Sequence, residues 1–312
     1  MDTRDRQGGR EAPPEPRAVG RAEPAEAPVE PEQGFIRELS QFFVVPSLIV
    51  LLCVGIFIMF GLVSSDAKSP REFLQQVRTS RGSDRWQAAY ELSRAIAQQP
   101  RLGEDRKLVE EIVSMLRDEG REDPQVRRYL IIALEHLGNR SAGPAIIESL
   151  SDPDPEVRLQ AARALGVLES VPGAAPALVG LLSDESPDIR KVAIFALGQT
   201  RDPAAIPALL PKLEDPAEDI RWNAALALAV LGDPSGGPVI AQMIDREHLD
   251  TIEGITEEQK ISAIINGVQA VYLLKDRSFE DKIRHVSQND PSLKARGIAI
   301  KALEALEKGT AP

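Results

Sequence analysis

Four stretches of the chain repeat one pattern at an almost constant period, and this regularity constrains the fold more than any other feature. The stretches begin DPQVRR (123–128), DPEVRL (154–159), SPDIRK (186–191) and EDIRWN (218–223). Their arginines recur at spacings of 31, 32 and 31 residues and are Arg127, Arg158, Arg190 and Arg221. A fixed period of this size is typical of stacked structural units, so we expect an elongated repeat array over residues 66–312.

Shorter apolar segments alternate with these stretches and carry prolines in the same register. The prolines recur at spacings of 32, 31 and 31 residues and are Pro144, Pro176, Pro207 and Pro238. Proline fits the first turn of a helix, where its missing N–H is not needed. Each unit is therefore predicted to be a short helix, a turn and a second helix. Asp123 and Asp154 are placed to cap the second helices of their units.

The pattern inside the second helix indicates how units pack. If the Val or Ile before the arginine is position 0, positions 0, 4, 7 and 8 lie within one narrow helical arc. In the third of the four stretches these positions hold Ile189, Ala193, Ala196 and Leu197. Aromatic residues make up only 4% of the chain, whereas hydrophobic residues make up 43%. Small apolar residues of this kind favour closely packed helices over a large sheet core.

The frame D-x-x-V-R-x-x-A-A-x-A-L-G resembles HEAT repeats, in particular the short phycobilisome-lyase HEAT-like kind. The resemblance implies an all-α fold, a right-handed α-solenoid of about seven HEAT-like helical hairpins. Residues 71–97, 235–275 and 278–308 match more loosely, as end units and a unit with an insertion would. The insertion spans residues 245–260. The resemblance also implies that the second helices line the concave face of the solenoid.

Positions 2, 3 and 6 of the second helix point away from the core arc, so the resemblance places them in the concave groove. Large aromatic residues and arginine are enriched in binding hot spots, and we expect a protein or peptide partner there. The predicted groove residues are Trp86, Tyr90, Tyr129, Ile132, Arg163, Phe195, Trp222 and Leu226. Tyr272 is expected to occupy position 6 in the unit that follows. The alternative is that these rings pack against adjacent helices, against the insertion or against the membrane-proximal linker.

The recurring arginines could bind an anionic ligand or could belong to the fold. Acidic residues lie just before most of them, including Glu156, Asp188 and Asp219. A stack of ion pairs between repeats would explain a residue that recurs in every unit. We therefore predict a structural ladder of Arg127, Arg158, Arg190 and Arg221.

Two segments precede the repeats. Residues 1–34 are rich in Pro, Glu, Ala and Arg and are predicted to be a disordered tail. Residues 35–65 are predicted to be a transmembrane anchor, because residues 42–63 are apolar and carry no charge. A secretory signal peptide would have a shorter apolar region and a shorter leader. Lys68, Arg71 and further arginines after the span favour a cytoplasmic repeat domain at a bacterial inner membrane.

Charge and motifs exclude several functions. The net charge of −11 argues against nucleic acid as a partner. No HExxH, CxxC, GxSxG, GxGxxG or P-loop pattern occurs, so we expect no catalytic residues, metal site, cofactor or small-molecule substrate. A membrane-anchored, non-catalytic adaptor or scaffold is the predicted function. The alternatives are an enzyme related to HEAT-like di-iron hydroxylases or bilin lyases, and an accessory subunit of a membrane complex.

Overall fold

The computed structural model describes residues 43–64, 69–118 and 123–308, and every regular element in these ranges is helical. The chain divides into two units, Met1–Ala67 and Lys68–Pro312. The predicted disordered tail, residues 1–34, lies outside the described residues.

In the first unit the described element is helix α1, Val45–Ser64, whose first and last turns contain no charged residue. The described side chains from Phe43 to Met59 are all exposed, including that of Cys53. Across the described ranges, no helix combines the length and apolarity needed to cross a membrane.

The second unit is a row of seven helical hairpins. In chain order the hairpins are α2 (Pro70–Thr79) with α3 (Ser83–Ala97), α4 (Arg106–Asp118) with α5 (Pro124–Leu137), α6 (Gly143–Glu148) with α7 (Pro155–Leu168), and α8 (Ala174–Val179) with α9 (Pro187–Gln199). They continue with α10 (Ile206–Leu209) and α11 (Glu218–Val230), then α12 (Gly237–Ile244) and α14 (Glu257–Leu274), and end with α15 (Glu280–Asn289) and α16 (Leu293–Lys308). The insertion contributes a short helix, α13 (Arg246–Asp250). The predicted all-α solenoid is confirmed.

The predicted helix starts follow from local chemistry. Pro124 and Pro155 open α5 and α7, and the preceding aspartates cap these helices. The Asp123 carboxylate accepts hydrogen bonds from the backbone N–H groups of Gln125 and Val126, and Asp154 caps α7 in the same way. These bonds satisfy amide groups that have no partner inside the helix.

Neighbouring units share buried core residues. Ile189, Ala193, Ala196 and Leu197 of α9 are all buried, as the predicted arc requires. The buried apolar residues form one cluster that extends from Leu74 to Leu228 and a second from Ala225 to Leu306. No hairpin has a separate core, so each unit depends on its neighbours for burial.

Candidate functional site

The second helices pack side by side, and one surface runs along them. α3, α5, α7, α9, α11 and α14 contact one another in this order. We call the surface formed by positions 2, 3, 6 and 10 of these helices the second-helix face. Large apolar side chains are exposed along it: Tyr90 (41%), Val167 (53%), Phe195 (49%) and Leu273 (52%).

An aromatic cluster forms the first part of the second-helix face. The rings of Trp86 and Tyr129 stack with centroids 6.4 Å apart, and Tyr90 meets Tyr129 edge-on at 5.4 Å. The Arg128 guanidinium lies 5.0 Å from the centre of the Tyr129 ring. Trp86 and Tyr129 are half-buried against the core, whereas Tyr90 is exposed. The structure thus brings three of the predicted groove residues together.

A buried carboxylate follows the aromatic cluster. Glu135 accepts a hydrogen bond of 2.6 Å from the side-chain amide of Gln160 and lies 3.6 Å from the guanidinium of Arg163. The Glu135 side chain is 7% exposed, whereas that of Arg163 is 60% exposed. Arg163 is therefore largely exposed to solvent, while its guanidinium contacts the buried Glu135 carboxylate. Ile132, which precedes Glu135 in α5, is half-buried.

Glycines at position 9 of α7 and α9 lie beside Phe195 and let neighbouring second helices approach closely. A Cβ on Gly166 would lie 3.2 Å from the Cα of Ala196, and one on Gly198 would lie 2.9 Å from the Cα of Ala227. The second helices therefore approach closely at these glycines, and Phe195 lies across Gly166. A cavity of about 300 Å³ is lined by Phe195, Gly198, Gln199, Asn223, Leu226, Ala227, Val230, Asn266, Gln269, Ala270 and Leu273. We call it the Phe195 cavity.

A second cavity lies beside Trp222. It measures about 540 Å³ and is lined by Asp219, Trp222, Asn223, Leu226, Met243, Thr256, Glu258, Gln259, Ser262, Ala263 and Asn266. We call it the Trp222 cavity. Its lining includes Thr256, Glu258 and Gln259, so the end of the insertion and the start of α14 form one wall. Trp222 and Leu226 are also packed partly against the core. Trp222 and Leu226 therefore each pack against the core and also line the groove.

Ion pairs fix the insertion in place. The Arg246 guanidinium lies 3.0 Å from both Asp290 and Glu257, and the Lys260 ammonium lies 2.7 Å from Asp250. The hydrogen bond from Lys260 lowers the pKa of Asp250 and of Glu257, and these two carboxylates raise the pKa of Lys260. These pairs join the insertion to α14 of its own hairpin and, through Asp290, to the last hairpin.

Two features of the groove differ from the sequence-based expectation. Asn266, Gln269 and Leu273 of α14 line the Phe195 cavity at the places that correspond to Asn223, Leu226 and Val230 of α11. Gln269, and not Tyr272, is therefore the counterpart of Leu226, because the insertion shifts the repeat register. Position 10 also belongs to the face, through Gln199, Val230 and Leu273. The helical period of the sequence indicates that position 10 belongs to this face, because position 10 lies one turn beyond position 6.

The arginine ladder contains inter-repeat pairs, but the partners differ from those expected. Arg127 contacts Asp152 at 2.7 Å, and Arg158 contacts Asp184 of the next unit at 2.8 Å. The Asp184 hydrogen bond raises the pKa of Arg158, and Arg158 lowers the pKa of Asp184.

The last two arginines of the ladder bond within their own turns. Arg190 donates to the carbonyl of Asp184, and Arg221 donates to that of Asp215 and pairs with Glu218. The acids Asp188 and Asp219 contact Lys191, whose pKa they raise. These bonds give all four arginines a structural role.

Within the described ranges, no group of three or more His, Cys, Asp or Glu residues is arranged to hold a metal ion. His285 lines a different cavity, of about 430 Å³, beside Arg246 and Asp290. The Phe195 cavity is lined by apolar and amide side chains and by no ionisable residue.

Comparison with known proteins supports the repeat assignment. The family described as HEAT repeats matches residues 109–189 and 175–258. Residues 109–258 are therefore similar to HEAT repeats. No curated protein matches the chain in sequence.

Solved structures share the fold. The complex of CpcE and CpcF of phycocyanin lyase from Nostoc sp. PCC7120 aligns with 78% of this chain and 96% of its own, at 23% identity and a TM-score of 0.51. A designed armadillo repeat protein in complex with the peptide (KR)4 aligns with 77% of this chain and 100% of its own, at 18% identity and a TM-score of 0.43. At 23% identity the similarity to the lyase complex concerns the fold alone.

Proposed function

Starting from a chain that carries HEAT-like repeats over residues 109–258, we propose that it is a membrane-anchored, non-catalytic adaptor that binds a protein partner along the second-helix face. The observation that carries the proposal is the row of exposed apolar residues from Tyr90 through Phe195 to Leu273. Contiguous apolar surface rimmed by polar groups is characteristic of interaction sites.

The composition of the face supports a peptide or helix of another protein as the ligand. Aromatic rings at one end and apolar side chains interleaved with amides at the other provide burial and directional hydrogen bonds together. The absence of ionisable side chains among the residues lining the Phe195 cavity supports a binding role over acid–base catalysis.

The membrane part of the proposal rests on residues 42–63, which contain no charged residue. A continuous helix over all 22 residues would match the roughly 30 Å core of a bilayer at a rise of about 1.5 Å per residue. The described helix α1 does not by itself combine the length and apolarity of a membrane span, so this part of the proposal rests on the sequence. The basic residues that follow support a cytoplasmic repeat domain at a bacterial inner membrane.

Site-specific crosslinking in the full-length chain tests the partner-binding role. A photoreactive phenylalanine analogue at Phe195 should crosslink one defined protein in native membranes. The same analogue at Leu210, which is exposed but outside the second-helix face, is the control. Phe195→Ala should abolish capture of that protein without lowering the melting temperature. Equal crosslinking from both positions would refute the proposal, and a large loss of stability would make Phe195 a core residue.

Alkaline extraction of membranes tests the anchor. The wild-type chain should stay in the membrane pellet, whereas Leu52→Lys with Ile56→Lys should move it to the supernatant, because each lysine costs about 2.5–3.5 kcal/mol in a bilayer centre. Release of the wild-type chain would refute anchoring. Replacing the span with an unrelated one should preserve partner capture if the span is a tether. Loss of capture would instead favour an accessory subunit whose span makes the essential contacts.

A further inference from the structure

The Trp222 cavity combines acidic groups with an aromatic ring and lacks a basic residue in its lining. Asp219 and Glu258 supply carboxylates, and Thr256, Ser262, Asn223, Gln259 and Asn266 supply hydroxyl and amide groups. Among the described residues, no lysine, arginine or histidine lines this cavity. The cavity therefore presents negative charge together with hydroxyl and amide groups to whatever enters it.

The charges around the cavity are only partly compensated. The Lys191 ammonium lies 3.0 Å from Asp219, which neutralises part of that charge. Glu258 is exposed and makes no ion pair within the described part of the chain. The neighbouring cations Lys260 and Arg246 are already engaged by Asp250, Glu257 and Asp290. Glu258 and Trp222 line the same cavity, and a carboxylate and an indole ring each favour a positive charge nearby.

The Trp222 and Phe195 cavities form parts of one groove. Asn223, Leu226 and Asn266 line both of them. The Asn223 amide N–H donates to the Asp219 carbonyl at 2.6 Å, which orients the side chain and leaves its oxygen as an acceptor. Amide side chains offer a donor and an acceptor, the complement of a peptide group. The residues shared by the cavities therefore suit the backbone of a chain that crosses from one to the other.

We propose that the occupant is an extended peptide segment of the partner, with an arginine or lysine side chain in the Trp222 cavity and an apolar side chain in the Phe195 cavity. This inference rests on the proposed function, because it specifies what the second-helix face binds. We infer the basic residue from charge complementarity with the carboxylates of the Trp222 cavity. We infer the apolar residue from the uncharged lining of the Phe195 cavity.

Tryptophan fluorescence of the full-length chain in a neutral detergent provides the test. Trp86→Phe leaves Trp222 as the sole tryptophan, so the signal reports on the Trp222 cavity. The probes are a peptide of alternating arginine and leucine, a peptide of alternating glutamate and leucine, and free L-arginine. In this background Glu258→Gln removes the carboxylate in the cavity. Glu253→Gln removes an equal charge from an exposed residue that lines neither cavity.

The arginine–leucine peptide should produce a saturable change in Trp222 fluorescence, and Glu258→Gln should raise its Kd about ten-fold, as expected for one charge-assisted hydrogen bond. Glu253→Gln should leave the Kd nearly unchanged, and the glutamate–leucine peptide should not bind. Equal losses in both variants would show only long-range attraction to an acidic protein and would overturn the inference. Equally tight binding of free L-arginine, or no binding of the basic peptide, would also overturn it.

The outcome for this inference is separable from that for the proposed function. If Phe195 crosslinks a partner but the arginine–leucine peptide does not bind, the second-helix face binds a different chemistry and only this inference fails. If Phe195 crosslinks no partner, the proposed function itself fails.

Discussion

Arg127 of α5 donates two hydrogen bonds to both carboxylate oxygens of Asp152, at 2.7 and 2.8 Å, in a site where the side chains are 7% and 9% exposed. Asp152 lies in the turn before α7, so the pair joins the second and third hairpins. Asp152 also accepts from the backbone N–H of Asp154, the residue that caps α7. One carboxylate therefore links the repeat interface to the start of the next helix.

Arg127→Met should lower the free energy of unfolding by about 3–5 kcal/mol, because it leaves the buried Asp152 carboxylate without its counter-charge. Arg117→Met is the matched control. Arg117 makes a similar two-bond contact with Glu148, but the side chains are 42% and 59% exposed, and a loss of about 0–1 kcal/mol is expected. Denaturant unfolding measures both. Adding Asp152→Asn to Arg127→Met should recover part of the loss; equal losses for Arg127 and Arg117 would contradict the prediction.

Gly198→Ala should destabilise the interface between α9 and α11. The added Cβ would lie 2.9 Å from the Cα and 3.0 Å from the Cβ of Ala227, so the helices must separate. Overpacking of this kind costs about 1–3 kcal/mol. At Gly180 an added Cβ meets nothing within 4 Å and the backbone is helical, so Gly180→Ala should be neutral or slightly stabilising. Similar denaturation midpoints for both variants would argue against close packing at Gly198.

The repeated features of the fold could be predicted from sequence because they are local. These features are the 31-residue spacing, the prolines and the helix caps formed by Asp123 and Asp154. Each depends on residues within one hairpin. The partners of the arginines could not be predicted, because Arg127 meets Asp152, which is 25 residues ahead in the next unit. Which acid lies opposite each arginine depends on how neighbouring hairpins are staggered.

The candidate site, like the fold, could be predicted from the sequence only in part. Helical periodicity identified the side of the second helices that leaves the core, and Phe195 and Tyr90 are exposed there. It could not separate them from Trp222, which is half-buried and lines a cavity at the same time. Trp222→Ala therefore changes packing as well as the groove, and Phe195 is the better probe of binding alone. The insertion displaced the repeat register, so Gln269 could not be identified as the counterpart of Leu226.

The Arg158–Asp184 pair should make stability depend on pH in the acidic range. The hydrogen bond from Arg158 holds the pKa of Asp184 below its ordinary value of 3.8. Because the folded-state pKa is the lower one, the stabilisation is present above the unfolded-state pKa and is lost as pH falls through the folded-state value. Asp184→Asn should therefore be less stable than wild type at pH 7. The difference in the free energy of unfolding should shrink as pH falls below about 4. A difference that stays constant with pH would contradict this account.

A missing cap offers a way to stabilise the fifth hairpin. Ala217 precedes α11 with φ −85° and ψ 124° and provides no side-chain cap. Asp154 precedes α7 with nearly the same backbone, φ −82° and ψ 124°, and caps two N–H groups. Ala217→Asn should therefore raise the free energy of unfolding by about 1 kcal/mol. Asparagine is preferable to aspartate because Glu218 and Asp219 follow directly.

Asp154→Ala is the reciprocal control and should lower the free energy of unfolding by about 1 kcal/mol through loss of the same two hydrogen bonds. Denaturant unfolding of both variants, with partner capture as a second readout, compares the two caps. Ala217 is not among the residues lining the Phe195 or Trp222 cavities, so capture by Ala217→Asn should equal that of wild type. If Asp154→Ala destabilises while Ala217→Asn has no effect, the fifth hairpin does not share the capping geometry of the third.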